Sequence, residues 1–401
     1  MVRIKYYISF TILYIVFSVT MIVLLGSRRR MTFGGYSLEK IDNRTKDVFF
    51  AFVMVLIAAI KMNFGSDYWS YSLIYNRALT DYTGVKDILI QRGFFGSGLY
   101  VISYLVKSFT SIIGWGTPVE HNLIFIICSI ISTWTIIVQI RKHSDNYQWS
   151  VAVYFLMGYF MIANNILKQQ IAMMLLLFAY DALWGKKYFK YFMLCLLACF
   201  FHTTAIFPTL LYPVVLKIKM DKRTVCAFSG ICLAITVALP FIMHFLTKAS
   251  FLGYTKYFEN FATYSGASVG KLYAIGSFVA YLIIFICTYK IKYTLPNNDY
   301  RIYSYLVLLS AGLVINVLAF NFWLLIRVSL YFYQFVIFLI PNFISKISLS
   351  RKYVLYIKIA LLLFSGFYVL YSWDNHYFAF HTIFNKEMVP AYLDYYISTY
   401  E

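Results

Sequence analysis

Residues 121–140 read HNLIFIICSIISTWTIIVQI, with Arg141 and Lys142 immediately behind them. The run contains no Asp, Glu, Lys or Arg. As a helix rising about 1.5 Å per residue it measures about 30 Å, the thickness of a bilayer's hydrocarbon core. Runs of the same character recur outward from it in both directions, near 6–25, 48–62, 149–164, 171–184, 188–201, 203–216, 224–247, 272–290, 302–320, 328–345 and 353–372. Several are shorter than the ~20 residues a spanning helix needs, so the helices extend into their flanks. The pattern predicts an all-α, polytopic integral membrane helical bundle with about 12 transmembrane helices in a single domain covering 1–401. A further segment, 94–114, carries Gly96, Ser97, Gly98, Ser103 and Lys107 and is expected to be re-entrant or interfacial.

Composition agrees. Of 401 residues, 61% are hydrophobic and 13% charged, where a soluble domain carries about a quarter charged residues. Soluble enzyme folds, nucleic-acid-binding modules and disordered tails are excluded on this ground. The net charge of +19 then belongs to membrane topology. With 94–114 not crossing, the loops 26–47, 141–148, 185–190, 217–223, 290–301 and 346–352 fall on one side and hold 21 of the 35 Lys and Arg residues. The positive-inside rule makes that side cytoplasmic. Loops 63–93 and 248–271 and the tail 373–401 then face outward, and loops of that length tend to carry function. The first run, 6–25, precedes Arg28, Arg29 and Arg30 with no small-residue cleavage site and reads as a retained anchor. The six Cys residues lie in or beside apolar runs and read as packing residues.

Three clusters could carry chemistry. Lys61-Met62-Asn63-Phe64-Gly65-Ser66-Asp67-Tyr68-Trp69-Ser70-Tyr71 places a carboxylate and an ammonium beside a glycine. They could hold or activate a hydroxyl, although Ser66 or Asp67 could equally cap a helix running through Tyr75. Asn164-Asn165-Ile166-Leu167-Lys168-Gln169-Gln170 sets four amides and a cation between two apolar runs. Snorkelling accounts for Lys168 but not for the amides, which favour a polar cavity. Phe201-His202-Thr203-Thr204-Ala205 places an imidazole and two hydroxyls within an apolar hairpin, read either as a hydrogen-bonded structural His or as part of a polar pocket. Arg327 lies at the outer end of a span, where a guanidinium fork suits phosphate oxygens. No His-Glu-x-x-His, Asp-x-Asp, Walker, dinucleotide or serine-elbow motif is present, so the expected chemistry uses no metal, cofactor or ATP.

In this order the clusters resemble the EpsG family of bacterial polysaccharide polymerases, which are related in function to the Wzy polymerases of O-antigen and capsule. Lys61, Gly65-Ser66-Asp67-Tyr68 and Tyr71 stand for the family's Arg, Gly-Thr-Asp-Tyr and further Tyr. Asn165, Lys168, Gln169 and Ala172 stand for Asn-x-x-Arg-Gln and Ala, and Phe201-His202-Thr203-Thr204-Ala205 for Phe-His-Ser-Ala. Arg327 with Pro341 stands for the late Arg and Pro. Lys replaces Arg at 61 and 168, and Gln91-Arg92-Gly93-Phe94 lacks the family's Glu and Pro.

The resemblance implies an inner-membrane, multi-pass enzyme that joins undecaprenyl-pyrophosphate-linked oligosaccharide repeat units at the outer face, working with a flippase and a chain-length regulator. It implies Lys61, Tyr68, Asn165, Lys168, Gln169 and Arg327 as substrate-binding residues, with Asp67 or His202 as the catalytic base. A flippase for the same lipid-linked sugars and a membrane acyltransferase are the rival classes. The 38 Tyr and 38 Phe read either as sugar-stacking faces or as a membrane aromatic belt, and Tyr254, Tyr257, Phe258, Phe261 and Tyr264 as candidates for acceptor specificity.

Overall fold

The computed structural model describes residues 16–21, 32–33, 36–37, 39–62, 65, 67–116, 120–218, 268–291, 300–320, 325–346 and 381–382, with isolated helical positions at 223–238 and 359–365. The expected spans 224–247 and 353–372, most of 6–25, the loop 248–271 and nearly all of the tail 373–401 lie outside the described residues.

The described chain is an all-α membrane protein. Its principal helices are α1 (Glu39–Ile60), α2 (Tyr68–Asn76), α3 (Ala78–Asp81), α4 (Val85–Arg92), α5 (Gly98–Ile112), α6 (Asn122–His143), α7 (Tyr147–Leu156), α8 (Tyr159–Asn165), α9 (Leu167–Trp184), α10 (Tyr188–Phe201), α11 (Ile206–Val215), α12 (Ser268–Ile291), α13 (Tyr300–Leu318), α14 (Ile326–Tyr333) and α15 (Val336–Lys346). Two antiparallel ladders of two residues per strand complete it, Thr32–Phe33 with Tyr36–Ser37 and Lys61–Met62 with His381–Thr382. Among the described residues three stretches are long and apolar enough to cross a membrane: Asn122–His143, Arg301–Leu318 and Ile326–Ser345. Side chains such as Ile130, Trp134, Leu210, Val214 and Ile283 are exposed; a soluble surface rarely gathers so many, and a lipid-facing one requires them.

The helices pack in neighbouring pairs, α1 on α6, α9 on α10, α12 on α13 and α13 on α14. One expected continuous span is broken, and the gap after it is a sharp turn of backbone. The run 149–164 divides at Gly158, whose φ of 75° ends α7, and Ile166, at φ −104° and ψ 60°, separates α8 from α9. The stretch 63–93 contains α2, α3 and α4. The segment 94–114 is built around α5, whose 15 residues give a helix of about 22 Å, short of the hydrocarbon core.

The junction of α14 with α15 and Pro213 within α11 likewise release backbone carbonyls that lipid cannot satisfy, and tyrosines take them up. The Tyr159 hydroxyl donates to the Tyr333 carbonyl, the Tyr212 hydroxyl to the Tyr331 carbonyl at 2.7 Å, and the Tyr191 hydroxyl to the Thr209 carbonyl. The tyrosine excess thus has a structural use that neither sugar stacking nor an interfacial belt describes. Cys128, Cys195 and Cys199 are buried as free thiols.

Candidate functional site

The first two clusters interlock at the α8–α9 break. In an unbroken helix the Asn164 carbonyl would accept from the Lys168 amide. The break at Ile166 parts them, and the Lys61 ammonium donates to the Asn164 carbonyl at 2.9 Å and to its Oδ1 at 3.2 Å, while the Tyr71 hydroxyl takes up the Lys168 backbone. Asn165 turns the other way and accepts from the Asp67 backbone amide at 3.2 Å. Its side chain occupies the space where a Cβ on Gly65 would stand, 2.3 Å from Asn165 Oδ1, and Gly65 itself has φ +86°. Only glycine meets both conditions, so the glycine of the first cluster exists to seat the amide of the second.

The geometry redistributes the expected roles. Lys61 is 0% exposed and Tyr68 1%. Besides its bonds to Asn164, the Lys61 ammonium stands 4.4 Å from the Phe125 ring centre. Tyr68 stacks on the same ring at 4.7 Å and donates to Asn122 Oδ1 at 2.9 Å, with His121 Nε2 also 2.9 Å away. Both side chains are spent on protein partners in this structure: Lys61 ties its strand to α8 through Asn164, and Tyr68 ties α2 to the start of α6. Gln169 is buried and donates through Nε2 to the Arg327 carbonyl, which ties α9 to the start of α14. Asp67 precedes α2 at the capping position, yet its side chain makes no cap hydrogen bond. The carboxylate points elsewhere.

It points to Arg327. The guanidinium Nη2 lies 3.4 Å from Asp67 Oδ2, with the two side chains 29% and 24% exposed, and the Tyr71 hydroxyl lies 3.5 Å from the same oxygen. Lys168, half-buried at the second position of α9, is close enough to feel both Asp67 and Arg92. Its ammonium stands 4.3 Å from the Tyr100 ring centre, and the Arg92 guanidinium 3.9 Å from the same ring. His202 terminates α10; its Nδ1 lies 2.7 Å from Thr204 Oγ1 and 3.2 Å from the Tyr331 hydroxyl, and its ring feels the charges of Arg327 and Lys168. The loop before α5 is pressed onto this hairpin: the Gly96 amide donates to the Cys199 carbonyl at 3.1 Å, and a Cβ on Gly98 would strike the Phe201 ring at 2.7 Å.

Four elements distant in sequence therefore bring Asp67, Lys168, His202 and Arg327 to one place, with Arg92 beside them. Among the described residues no three His, Cys, Asp or Glu side chains converge as a metal site. The arrangement offers one carboxylate, three cations and a hydrogen-bonded imidazole, a set that can bind an anionic leaving group and take a proton beside it.

The EpsG family profile matches residues 47–389, most of the chain. The chain belongs to the EpsG family. Membership makes it a membrane protein of polysaccharide biosynthesis, and the profile covers every residue of the constellation. No curated protein and no solved structure gives a significant match. Within this EpsG-family chain the sequence reading missed Tyr100, which the two cations Arg92 and Lys168 share, and Tyr331, which bonds His202. Tyr331 stands four residues after Arg327, one helical turn along α14, and that spacing was the available signal.

Proposed function

We propose that the chain is a glycosyltransferase that polymerises lipid-pyrophosphate-linked oligosaccharide repeat units at the outer face of a bacterial inner membrane, within a bundle of about 12 spanning helices. The observation that carries the reading is the meeting of Asp67 with Arg327 and Lys168 at a half-open site. The donor is the growing chain on undecaprenyl pyrophosphate and the acceptor a sugar hydroxyl of the next lipid-linked unit. The acceptor oxygen attacks the donor's anomeric carbon, the bond from that carbon to the pyrophosphate oxygen breaks, and the hydroxyl proton passes to Asp67. The diphosphate leaves with the bonding electron pair onto Lys168 and Arg327, with Arg92 adding to the field.

The geometry supports Asp67 over His202 as the base. His202 Nδ1 is engaged by Thr204 Oγ1 at 2.7 Å and the Tyr331 hydroxyl at 3.2 Å, whereas the Asp67 carboxylate is 24% exposed beside its cation. At 3.4 Å the Arg327 contact is longer than the ~2.7–2.9 Å of a tight charge-assisted bond. A bound pyrophosphate competes with Asp67 for the guanidinium and leaves the carboxylate to the acceptor. His202, tied to Thr204 and Tyr331, orients the acceptor or the Arg327 turn.

Replacement of Lys168 tests the reading, with the length of surface polysaccharide read as a gel ladder. Lys168→Ala collapses the ladder to a single repeat unit with the protein still in the membrane, and Lys168→Arg retains substantial polymer. A full-length ladder in Lys168→Ala overturns the assignment. In cells lacking the gene, total absence of surface sugar would point to a flippase, and an unmodified full-length ladder to an acyltransferase.

A further inference from the structure

A second constellation lies at the opposite end of the same helices. From Lys168 to Asp181 along α9 is about 20 Å, and there α6, α9, the start of α10 and the start of α13 enclose a cavity of about 430 Å³, within the range of small-ligand sites. Lys142, Lys187, Lys190 and Arg301 line it, with the rings of Tyr180 and Trp184. Asp181 is the one carboxylate among the described lining residues, and it is already saturated. His143 Nε2 lies 2.6 Å from Oδ1, and Lys142 Nζ lies 2.7 Å and Gln139 Nε2 3.2 Å from Oδ2. Lys187, Lys190 and Arg301 are all exposed. A membrane protein keeps basic residues on one face for topology, but topology does not require three of them to converge on a walled cavity floored by a saturated carboxylate.

We infer that this cavity binds a phosphate group of an anionic ligand through Lys187, Lys190 and Arg301. Arg301 supplies a planar fork for two phosphate oxygens and the lysines supply point charges, while Trp184 and Tyr180 give an apolar wall for whatever carries the phosphate. The His143–Asp181 pair, further held by the Tyr305 hydroxyl 3.0 Å from His143 Nδ1, fixes the floor. The phosphate can come from an anionic lipid headgroup or from a soluble phosphate compound.

The test uses the full-length chain in detergent micelles. Retention of phosphatidylglycerol over phosphatidylcholine is read by native mass spectrometry, and binding of inorganic pyrophosphate by calorimetry. The triple variant Lys187→Ala, Lys190→Ala, Arg301→Ala is expected to lose tenfold or more in affinity for at least one probe. Loss confined to phosphatidylglycerol identifies a lipid headgroup, and loss extending to pyrophosphate a soluble ligand. Lys168→Ala removes a cation of the other site and leaves these losses in place. A control triple away from the cavity, Lys46→Ala, Lys217→Ala, Arg223→Ala, removes the same charge. Equal loss in the control would reduce the cavity to bulk electrostatics and overturn the inference, as would affinities within twofold of the unaltered chain in the cavity triple, or binding of neither probe by the unaltered chain. If the cavity triple does not fold, the conservative pair Lys190→Gln, Arg301→Gln is read by the same criteria.

Discussion

The two ends of α9 use the same kinds of residue to opposite effect. Near Asp181 the carboxylate is 12% exposed and clamped by His143 at 2.6 Å and Lys142 at 2.7 Å, so its charge is consumed internally and α6, α9 and, through Tyr305, α13 are pinned together. Near Lys168 the carboxylate of Asp67 is 24% exposed and reaches its cation at 3.4 Å, so both partners keep capacity for a ligand. A short, buried contact spends charge on the fold, whereas a long, half-open one keeps charge available to chemistry.

The sharpest way to break this contrast is to neutralise each carboxylate. At the open end Asp67→Asn keeps size and hydrogen-bonding capacity but removes the proposed base, and general-base losses run to about 10²–10⁴-fold. Polymer formation is expected to fall by that order with the thermal midpoint nearly unchanged, while His202→Gln, which keeps a hydrogen-bonding side chain, loses about tenfold. A larger loss in His202→Gln than in Asp67→Asn would reverse the two roles. At the clamped end the ranking inverts. Asp181→Ala leaves His143 and Lys142 without their shared partner, and breaking such a buried pair costs about 3–5 kcal/mol. Its expected mark is a lower unfolding midpoint in detergent, with the folded fraction retaining its polymerisation rate. Loss of rate without loss of stability would show that the two ends are coupled.

Gly65→Ala sharpens the contrast by disturbing the open site through its seat alone. The substitution places a Cβ against the Asn165 side chain at a positive φ, which costs about 1–2 kcal/mol of backbone strain and pushes away the amide that holds the Asp67 backbone. Polymer yield is expected to fall further than the stability change accounts for. A companion Asn165→Ala, which empties the space, should restore the part of the stability lost to the clash, leaving the strain of the positive φ, but not activity. Full activity in the double variant would show that Asn165 does not position Asp67.

Much of this was legible in the chain. The membrane class, the helical fold and the candidates Asp67, Lys168, His202 and Arg327 follow from apolar run length and from the order of the clusters. The bracing contacts of Lys61, Tyr68 and Gln169 were not, because substrate contact and bracing use the same donors and acceptors and only the packing reveals which partners are met. Gly158 carries a helix break within the run 149–164, and an apolar run hides a break when nothing polar interrupts it at that position. The cavity near Asp181 escaped notice because its cations belong to three separate loops, each already explained by topology.

The smallest expected effect concerns a third pair, Lys107 with Glu120, which has the short geometry of the clamped end although it lies beside the open one. Lys107 Nζ stands 2.6 Å from Glu120 Oε2, and the Tyr75 hydroxyl donates to Oε1 at 2.8 Å. Burial pushes the Glu120 carboxyl up, but hydrogen bonds from Lys107, Thr110 and Tyr75 outweigh it and hold it below the usual carboxylate range. A carboxyl lowered by folding contributes stability above its unfolded pKa, about 4.3, and loses that contribution as pH falls through the folded value. The unaltered chain should therefore exceed Glu120→Gln in thermal midpoint by a degree or two at pH 7 (order of magnitude), and the two should converge below about pH 4. An advantage that grows on acidification would mean that burial dominates and that this pair behaves as an open site. In that case short contact distance alone would not separate structural from functional charge in this fold, and the residual exposure of Asp67 and Arg327 would be the better guide.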